Sequence, residues 1–385
     1  METPRVGVVG AGQLARMMQQ SAIALGVPLA LLAETGDASA AQVVADTQVG
    51  DYTDLETLRA WAQRCSVVTF DHEHVPTGHL EALEADGRLC RPGPKALVHA
   101  QDKAVMRSAL AGMGVPGPRS AVVSSPADVE AFAQHNGGYP LVLKTTRGGY
   151  DGKGVWVVHD RDEAAGVLTN VAPRALLAEE RVDFVRELSA VVARAPSGQM
   201  AAYPVVESVQ RNGICVEVVA PAPGLDPGRA VESSTIAMSI AAGLDVTGVL
   251  AVELFEARDG RILVNELAMR PHNTGHWSID GAVTSQFENH LRGVLDLPLG
   301  ATTARAPWTV MVNILGGSAP TLYDGYPHVQ ARDPEVRVHL YGKSVRPGRK
   351  VGHVTAYGDD LDEARERARH AAHWFQGDDG MGEER

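Results

Sequence analysis

Cysteine is scarce in this sequence. Cys65, Cys90 and Cys215 are the three among 385 residues; they lie far apart and form no CxxC pair. Neither a disulfide framework nor a cysteine zinc site is indicated, and a reducing cytoplasm is the natural compartment. Long apolar runs are missing too, so no membrane span is expected. The start, Met1-Glu2-Thr3-Pro4-Arg5, has no apolar leader and runs straight into a strand. Positive charge is in deficit: 35 Lys and Arg face 47 Asp and Glu, a formal net charge of −12. That argues against a surface that coats nucleic acid, while leaving room for local sites for small anions. There is no internal repeat. What is present is the composition of an ordinary globular protein, rich in glycine, with a length that suits two or three domains.

Residues 5–95 alternate strand and helix. Strands are expected at Val6–Val9, Leu29–Ala33 and Ser66–Phe70, with helices at Gln13–Leu25 and from Asp54, a good N-cap. This rhythm argues for a parallel sheet wrapped by helices. Residues 96–300 read differently. A helix over about Asp102–Met113 is followed by strands at Leu141–Lys144, Val155–Val158, Ala175–Glu180 and Leu188–Arg194, then a hairpin and a helix at Ser285–Leu295. That mixture suggests an α+β nucleotide-handling domain. Residues 301–376 add a small lobe, with strands at Val310–Leu315 and Val336–Leu340 and a helix at Leu361–Phe375. The polar tail 377–385 is expected to fray.

The hairpin carries the strongest chemical signal. Val249–Phe255 is apolar except for Glu253, and Ile262–Ala268 is apolar except for Asn265 and Glu266. Asp259-Gly260 between them is a two-residue turn signal. Counting outward from that turn puts Glu253 opposite Glu266, with Cβ atoms roughly 4.5–5.5 Å apart. Like charges facing each other in an apolar sheet need a cation between them. Mg²⁺ arriving with nucleotide phosphates fits such oxygen ligands. The competing reading is a shifted register with one Glu at an exposed edge.

Other motifs are weaker alone. Gly10-Ala11-Gly12-Gln13-Leu14-Ala15 follows a strand and opens a helix, matching G-x-G-x-x-A, and Glu34 could be the ribose-binding acid. That pattern supports an NAD(P)-dependent oxidoreductase as an alternative. Arg147-Gly148-Gly149-Tyr150-Asp151-Gly152-Lys153-Gly154 lies between two strands and suits a flap over phosphates, not a Walker loop. Lys144, ending the strand before it, needs an anion if buried. Ala178–Val182 ends a strand whose backbone could read an adenine edge, and Glu187 could reach ribose hydroxyls. Asn265–Trp277 leaves the second carboxylate strand as a loop dense in donors, with Arg270, His272, Asn273 and His276. Zinc on His272 and His276 is disfavoured because Pro271 and Gly275 oppose a helix there. Of the two, His276 is the better candidate for a structural role. Lys343–Lys350 is a basic cluster that could hold a substrate phosphate or simply face solvent.

Five stretches in order across nearly the whole chain resemble one family. They are Gly10–Leu14, Gly148–Gly154, Asn265–Trp277, Thr284-Ser285-Gln286-Phe287-Glu288 and Arg346–His353. The chain resembles the N5-carboxyaminoimidazole ribonucleotide synthetases, ATP-grasp ligases of purine biosynthesis. The resemblance implies an N-terminal Rossmann-like α/β domain over 1–97 and a two-lobed ATP-grasp domain over 98–300, its flap-bearing lobe at about 117–182. A C-terminal lobe over 301–376 would follow. It implies ATP and Mg²⁺, bicarbonate and 5-aminoimidazole ribonucleotide as substrates, and a homodimer. Another ATP-grasp ligase, such as a formate-dependent glycinamide ribonucleotide transformylase, is the nearest enzymatic alternative.

By motif position, the resemblance implies that ATP is held by Lys103, Lys144, the flap residues Gly149 to Val155, Glu179, Glu180, Arg181, Val182, Glu187, Gln210, Asn265 and Glu266. Glu253 and Glu266 would ligate Mg²⁺. Tyr150, Asp151, Arg270, His272 and Asn273 would surround carboxyphosphate and the amine. Gly12, Gln13, Leu14, Glu73, Lys153, Lys343, Arg349 and Lys350 would hold the ribonucleotide. The chain departs from the family pattern at Lys103, where Arg is usual, at Met269, where Pro is usual, and across Phe70–Pro76.

Overall fold

The computed structural model describes residues 3–149, 153–171, 173–319 and 321–377. The roles expected for Tyr150, Asp151 and Gly152, and the expected fraying beyond residue 377, lie outside the described residues. A parallel sheet opens the chain, with β1 (Val6–Val9), β2 (Leu29–Ala33), β3 (Thr47–Val49) and β4 (Val67–Phe70) in the order β3-β2-β1-β4. β1, β2 and β4 are buried throughout, as strands covered on both faces must be. The helices are α1 (Gln13–Leu25), α2 (Leu55–Ala62), α3 (Thr77–Ala85), α4 (Pro94–Gln101) and α5 (Lys103–Gly112). Asp54 caps α2 by accepting from the Thr57 N–H, and Asp102 caps α5 through the N–H groups of Ala104 and Val105. Sequence periodicity had missed α3 and α4.

A small antiparallel sheet comes next. It contains β5 (Ser120–Val123), β6 (Leu141–Thr145), β7 (Val155–Val158) and β8 (Leu176–Glu180), in the order β5-β8-β6-β7. α6 (Pro126–His135) and α7 (Arg161–Val171) cover one face and share a core with it through Val129, Leu141, Leu143 and Leu168.

The third sheet has nine strands among the described residues. It is built from β9 (Phe184–Arg194), β10 (Met200–Ala202), β11 (Val206–Arg211), β12 (Ile214–Ala220), β13 (Gly248–Ala257) and β14 (Ile262–Ala268), with α8 (Pro227–Gly243), α9 (Ser278–Gly281) and α10 (Gln286–Val294) between or beside them. β15 (Trp308–Leu315), β16 (Arg337–Leu340) and β17 (Lys350–Gly358) extend it, and α11 (Gly325–Arg332) and α12 (Leu361–Gln376) cover the extension. The path runs β14-β13-β9-β11-β12-β15-β17-β16. The C-terminal lobe is therefore hydrogen-bonded into the central sheet through β12 and β15. Buried Glu217 on β12 fastens α12 there by accepting from Arg365 and Arg369. No helix among the described residues is long and apolar enough to cross a membrane.

Candidate active site

The carboxylate hairpin exists, and Glu253 pairs with Glu266. The way it gets there differs from the simple count. Next to the turn the register is one residue off, with Glu256 opposite Ile262 and Leu254 opposite Val264. A bulge then shifts the register between Glu253 and Leu254, leaving Asn265 as the extra residue. Without that bulge Glu253 would face Asn265. With it, Asn265 and Glu266 both line the same cavity as Glu253.

β14 is an edge strand, and its exposed backbone is satisfied by one buried side chain from α5. Arg107 donates to the carbonyls of Val264 at 2.6 Å and Asn265 at 2.8 Å. Its Nε donates to Glu179 Oε1 at 2.6 Å. The other Glu179 oxygen takes Lys144 Nζ at 2.7 Å, and Lys144 also donates to Asn265 Oδ1 at 3.0 Å. Burial alone would push the Glu179 carboxyl up; the two cations, Lys144 first, hold it below its ordinary value. Glu179 thus holds Lys144 and Arg107, and both its oxygens are engaged. Arg107 was missed at the sequence level. A charged residue among the apolar positions Met106 and Leu110 of one helix face was the available signal.

Lys103, the departure from the family's Arg, donates to Glu266 Oε1 at 2.5 Å. Glu253, on β13, stands opposite Glu266. Burial, then Glu266 and Glu187, push its carboxyl up to about 7. Glu253 Oε1 lies 3.4 Å from His272 Nε2, and Lys350 and Lys144 pull its carboxyl the other way. Burial, with Arg270 and Lys350 nearby, pushes His272 down to about 3, so the ring is neutral and offers an N–H. No cluster of three metal-ligating side chains occurs among the described residues. Two opposed carboxylates fit a hard divalent cation that takes its remaining oxygens from a nucleotide.

The loop after β14 brings its donors to the same wall. Arg270 Nε donates to Glu73 Oε2 at 2.8 Å. His272 Nδ1 lies 2.9 Å from Thr274 Oγ1. Asn273 Nδ2 is buried with no partner among the described residues, though Asn273 lines the cavity. His276 is 1 % exposed and packs into the core against Phe287 and His353.

These groups share one cavity of about 1370 Å³. One end is apolar, formed by Val155, Val157 and the stacked rings of Phe184 and Phe255, 4.8 Å apart. Glu180, Arg181, Val182, Glu187, Gln210 and Gly149 line it as well. Burial pushes the Glu187 carboxyl up to about 6, with Lys144 pulling the other way. The opposite end carries Gln13, Leu14, Glu73 and Lys350. Lys343 does not line the cavity; it donates to Gln13 Oε1 from behind. Arg349 is held by Ser344 Oγ at 2.8 Å, also off the wall. Lys153 and Gly154 do not line the cavity.

The glycine motif at residues 10–15 holds an internal anion. Asp71, at the end of β4, accepts from the N–H groups of Gly12 at 2.8 Å and Ala15 at 2.7 Å. A Cβ on Gly12 would stand 2.3 Å from Asp71 Oδ2. The α1 N-terminus is therefore capped by the chain's own carboxylate where a dinucleotide pyrophosphate would sit, and Gly12 does not line the cavity. This removes the support for an oxidoreductase.

Three family models tile the chain. They are the ribonucleotide synthetase preATP-grasp domain over residues 1–101, the ATP-grasp domain over 108–287 and the phosphoribosylaminoimidazole carboxylase C-terminal domain over 309–367. The N5-carboxyaminoimidazole ribonucleotide synthase of Mycobacterium tuberculosis is 54 % identical, covering 97 % of this chain and 88 % of its own. The chain belongs to the N5-carboxyaminoimidazole ribonucleotide synthase family. The synthase of Corynebacterium ammoniagenes is 52 % identical over 96 % of this chain and 91 % of its own. Among solved structures, an ADP complex of a synthetase of this family superposes with a TM-score of 0.89 at 34 % identity, covering 97 % of both chains. The Aspergillus clavatus synthase with ADP and 5-aminoimidazole ribonucleotide gives 0.88 at 32 % identity, over 97 % of this chain and 99 % of that one.

Proposed function

We propose that this chain is an ATP-dependent ligase that carboxylates 5-aminoimidazole ribonucleotide with bicarbonate, giving N5-carboxyaminoimidazole ribonucleotide, ADP and phosphate in purine biosynthesis. The observation that carries this is one cavity that brings the opposed Glu253 and Glu266 together with Val155, Val157, Phe184 and Phe255 and with Gln13, Glu73 and Lys350. The work is done in the cytoplasm, by a homodimer.

Each end has a defined task. Adenine lies between the Val155 and Val157 face and the Phe184–Phe255 stack, and Glu187 accepts from ribose hydroxyls. Lys144, steadied by Glu179, and Lys103 donate to ATP phosphates. Glu253 and Glu266 would hold Mg²⁺, which would neutralise charge on phosphoryl oxygens. Arg270, Asn273 and the His272 N–H then face the carboxyphosphate oxygens, and Glu73 keeps the Arg270 guanidinium in place. Gln13 and Lys350 line the seat of the ribonucleotide's phosphate, and Lys343 and Arg349, off the cavity wall in this structure, turn in to reach it.

The test is a substrate exchange. ATP turnover should require both bicarbonate and 5-aminoimidazole ribonucleotide. Turnover with formate and glycinamide ribonucleotide in their place would assign the chain to the other ligase class. MgATP binding without turnover under either condition would leave only a nucleotide-binding module.

A further inference from the structure

Gln286 opens α10 and is fully buried. It does not line the cavity. Yet every polar atom of its side chain is engaged with the loop that does. Oε1 accepts from the His272 N–H at 2.9 Å. Nε2 donates to the His272 carbonyl at 2.7 Å and to His276 Nδ1 at 3.0 Å. Its backbone N–H donates to Ser278 Oγ at 2.9 Å, and Ser278 Oγ donates to the Gly275 carbonyl at 2.6 Å. A Cβ at Gly275 would stand 2.3 Å from Gln286 Oε1, so the loop lies directly on the amide.

The amide has one workable orientation. Turned over, its NH₂ would meet the His272 N–H and its oxygen would meet the His272 carbonyl. His276 reinforces the observed orientation only while its Nδ1 carries a lone pair. Burial pushes His276 well below its ordinary value, so the ring is neutral, and the donating Gln286 amide selects the tautomer whose lone pair is on Nδ1. His272 is held on its other side by Thr274 Oγ1, itself 2.7 Å from Ser189 Oγ. The backbone of His272 is thus gripped at both its N–H and its C=O, immediately before Asn273.

We propose that Gln286 is a positioning residue for carboxyl transfer: it fixes His272 and Asn273 over the reacting groups, and His276 fixes Gln286. This rests on the functional reading above. A displacement of about 1 Å at reacting groups can cost on the order of a hundredfold in rate. A loosened loop should still permit ATP cleavage at the far end but should fail to guide the carboxyl group. Carboxyphosphate then breaks its C–O bond to phosphate, CO₂ leaves, and inorganic phosphate keeps the bonding pair and the proton.

The decisive variant is Gln286→Met, which keeps length and loses all three side-chain hydrogen bonds. We expect the rate of ribonucleotide carboxylation to fall about ten- to a hundredfold. KM for ATP should be unchanged, and ADP released should exceed labelled bicarbonate incorporated at early times. Wild-type rate and coupling in this variant would overturn the proposal. His276→Asn and His276→Leu form a second, independent pair. Asn offers a carbonyl oxygen near the Nδ1 position and should keep coupling, whereas Leu should lose it. Equal loss in both would also overturn the proposal, even if Gln286→Met does not fold. Should the wild-type protein itself fix no bicarbonate onto the ribonucleotide, the functional reading fails instead.

Discussion

Replacing Glu253 by Gln should make this protein more stable at alkaline pH while removing its grip on metal. The Glu253 carboxyl is pushed up to about 7 from an ordinary 4.5, first by burial and then by Glu266 and Glu187. The native chain therefore holds a proton that the unfolded chain has already released between those two values. Stability falls as pH rises through that window, and the full penalty is present above about 7. The difference is 7 − 4.5 = 2.5 units. At about 1.4 kcal/mol per unit this is on the order of 3 kcal/mol. Gln cannot ionise, and its carbonyl oxygen can still accept from His272. Urea unfolding of the metal-free protein from pH 4.5 to 8.5 reads the effect. The stability gap between Glu253→Gln and wild type should be near zero at pH 4.5 and grow to about 2–3 kcal/mol by pH 8. The same variant should lose the extra thermal stability that Mg²⁺ confers on the ATP complex. A gap that is equal at both ends of the pH range, or absent at pH 8, would refute the reasoning.

Lys343→Ala should raise KM for the ribonucleotide about ten- to a hundredfold and leave KM for ATP nearly alone, because it removes one charge-assisted contact of roughly 1.5–3 kcal/mol; an equal rise in both would move Lys343 to the nucleotide. His290 is buried and neutral, pushed down to about 3 from 6.5, with Nδ1 accepting from the Val249 N–H and Nε2 beside Thr69 Oγ1. The unfolded chain takes up its proton first as pH drops, so native stability declines from about pH 6.5 toward 3. His290→Gln should flatten that decline by up to about 1.4 kcal/mol per pH unit; an unchanged slope in denaturant titrations would count against it.

The α/β rhythm of the first ninety residues was legible because covered strands are short apolar runs and Asp54 marks a helix start. The Glu253–Glu266 pairing was legible too, although the count from Asp259-Gly260 omitted the bulge at Asn265. Nothing in the strand's composition announces a bulge, since Arg107, 158 residues away in sequence from Asn265, supplies what its displaced carbonyls need. The G-x-G-x-x-A turn reads the same whether the anion at the helix end is a ligand or, as here, Asp71. Gln286 was quoted only as part of a motif, because its work is done through backbone atoms of His272 that carry no sequence signal. The span 195–247 lies outside the elements expected from the sequence, yet it holds β10 to β12 and α8, and Lys350, the first residue of β17, is indistinguishable in sequence from the basic loop before it.

The nine-stranded sheet has a mechanical consequence. Hydrogen-bonded ladders run without interruption from the carboxylate pair on β14 to β17, which begins at Lys350. Glu253, Glu266 and Lys350 therefore ride on one stiff plate, whereas Gln13, Leu14 and Glu73 on the same cavity's wall belong to the N-terminal domain. The small sheet β5-β8-β6-β7 shares no strand ladder with that plate; Lys144–Asn265 reaches the plate directly, and Glu179 and Arg147 hold the small sheet to α5 and its cap through Arg107 and Asp102. A movement of the small sheet would therefore leave the spacing of Glu253, Glu266 and Lys350 unchanged.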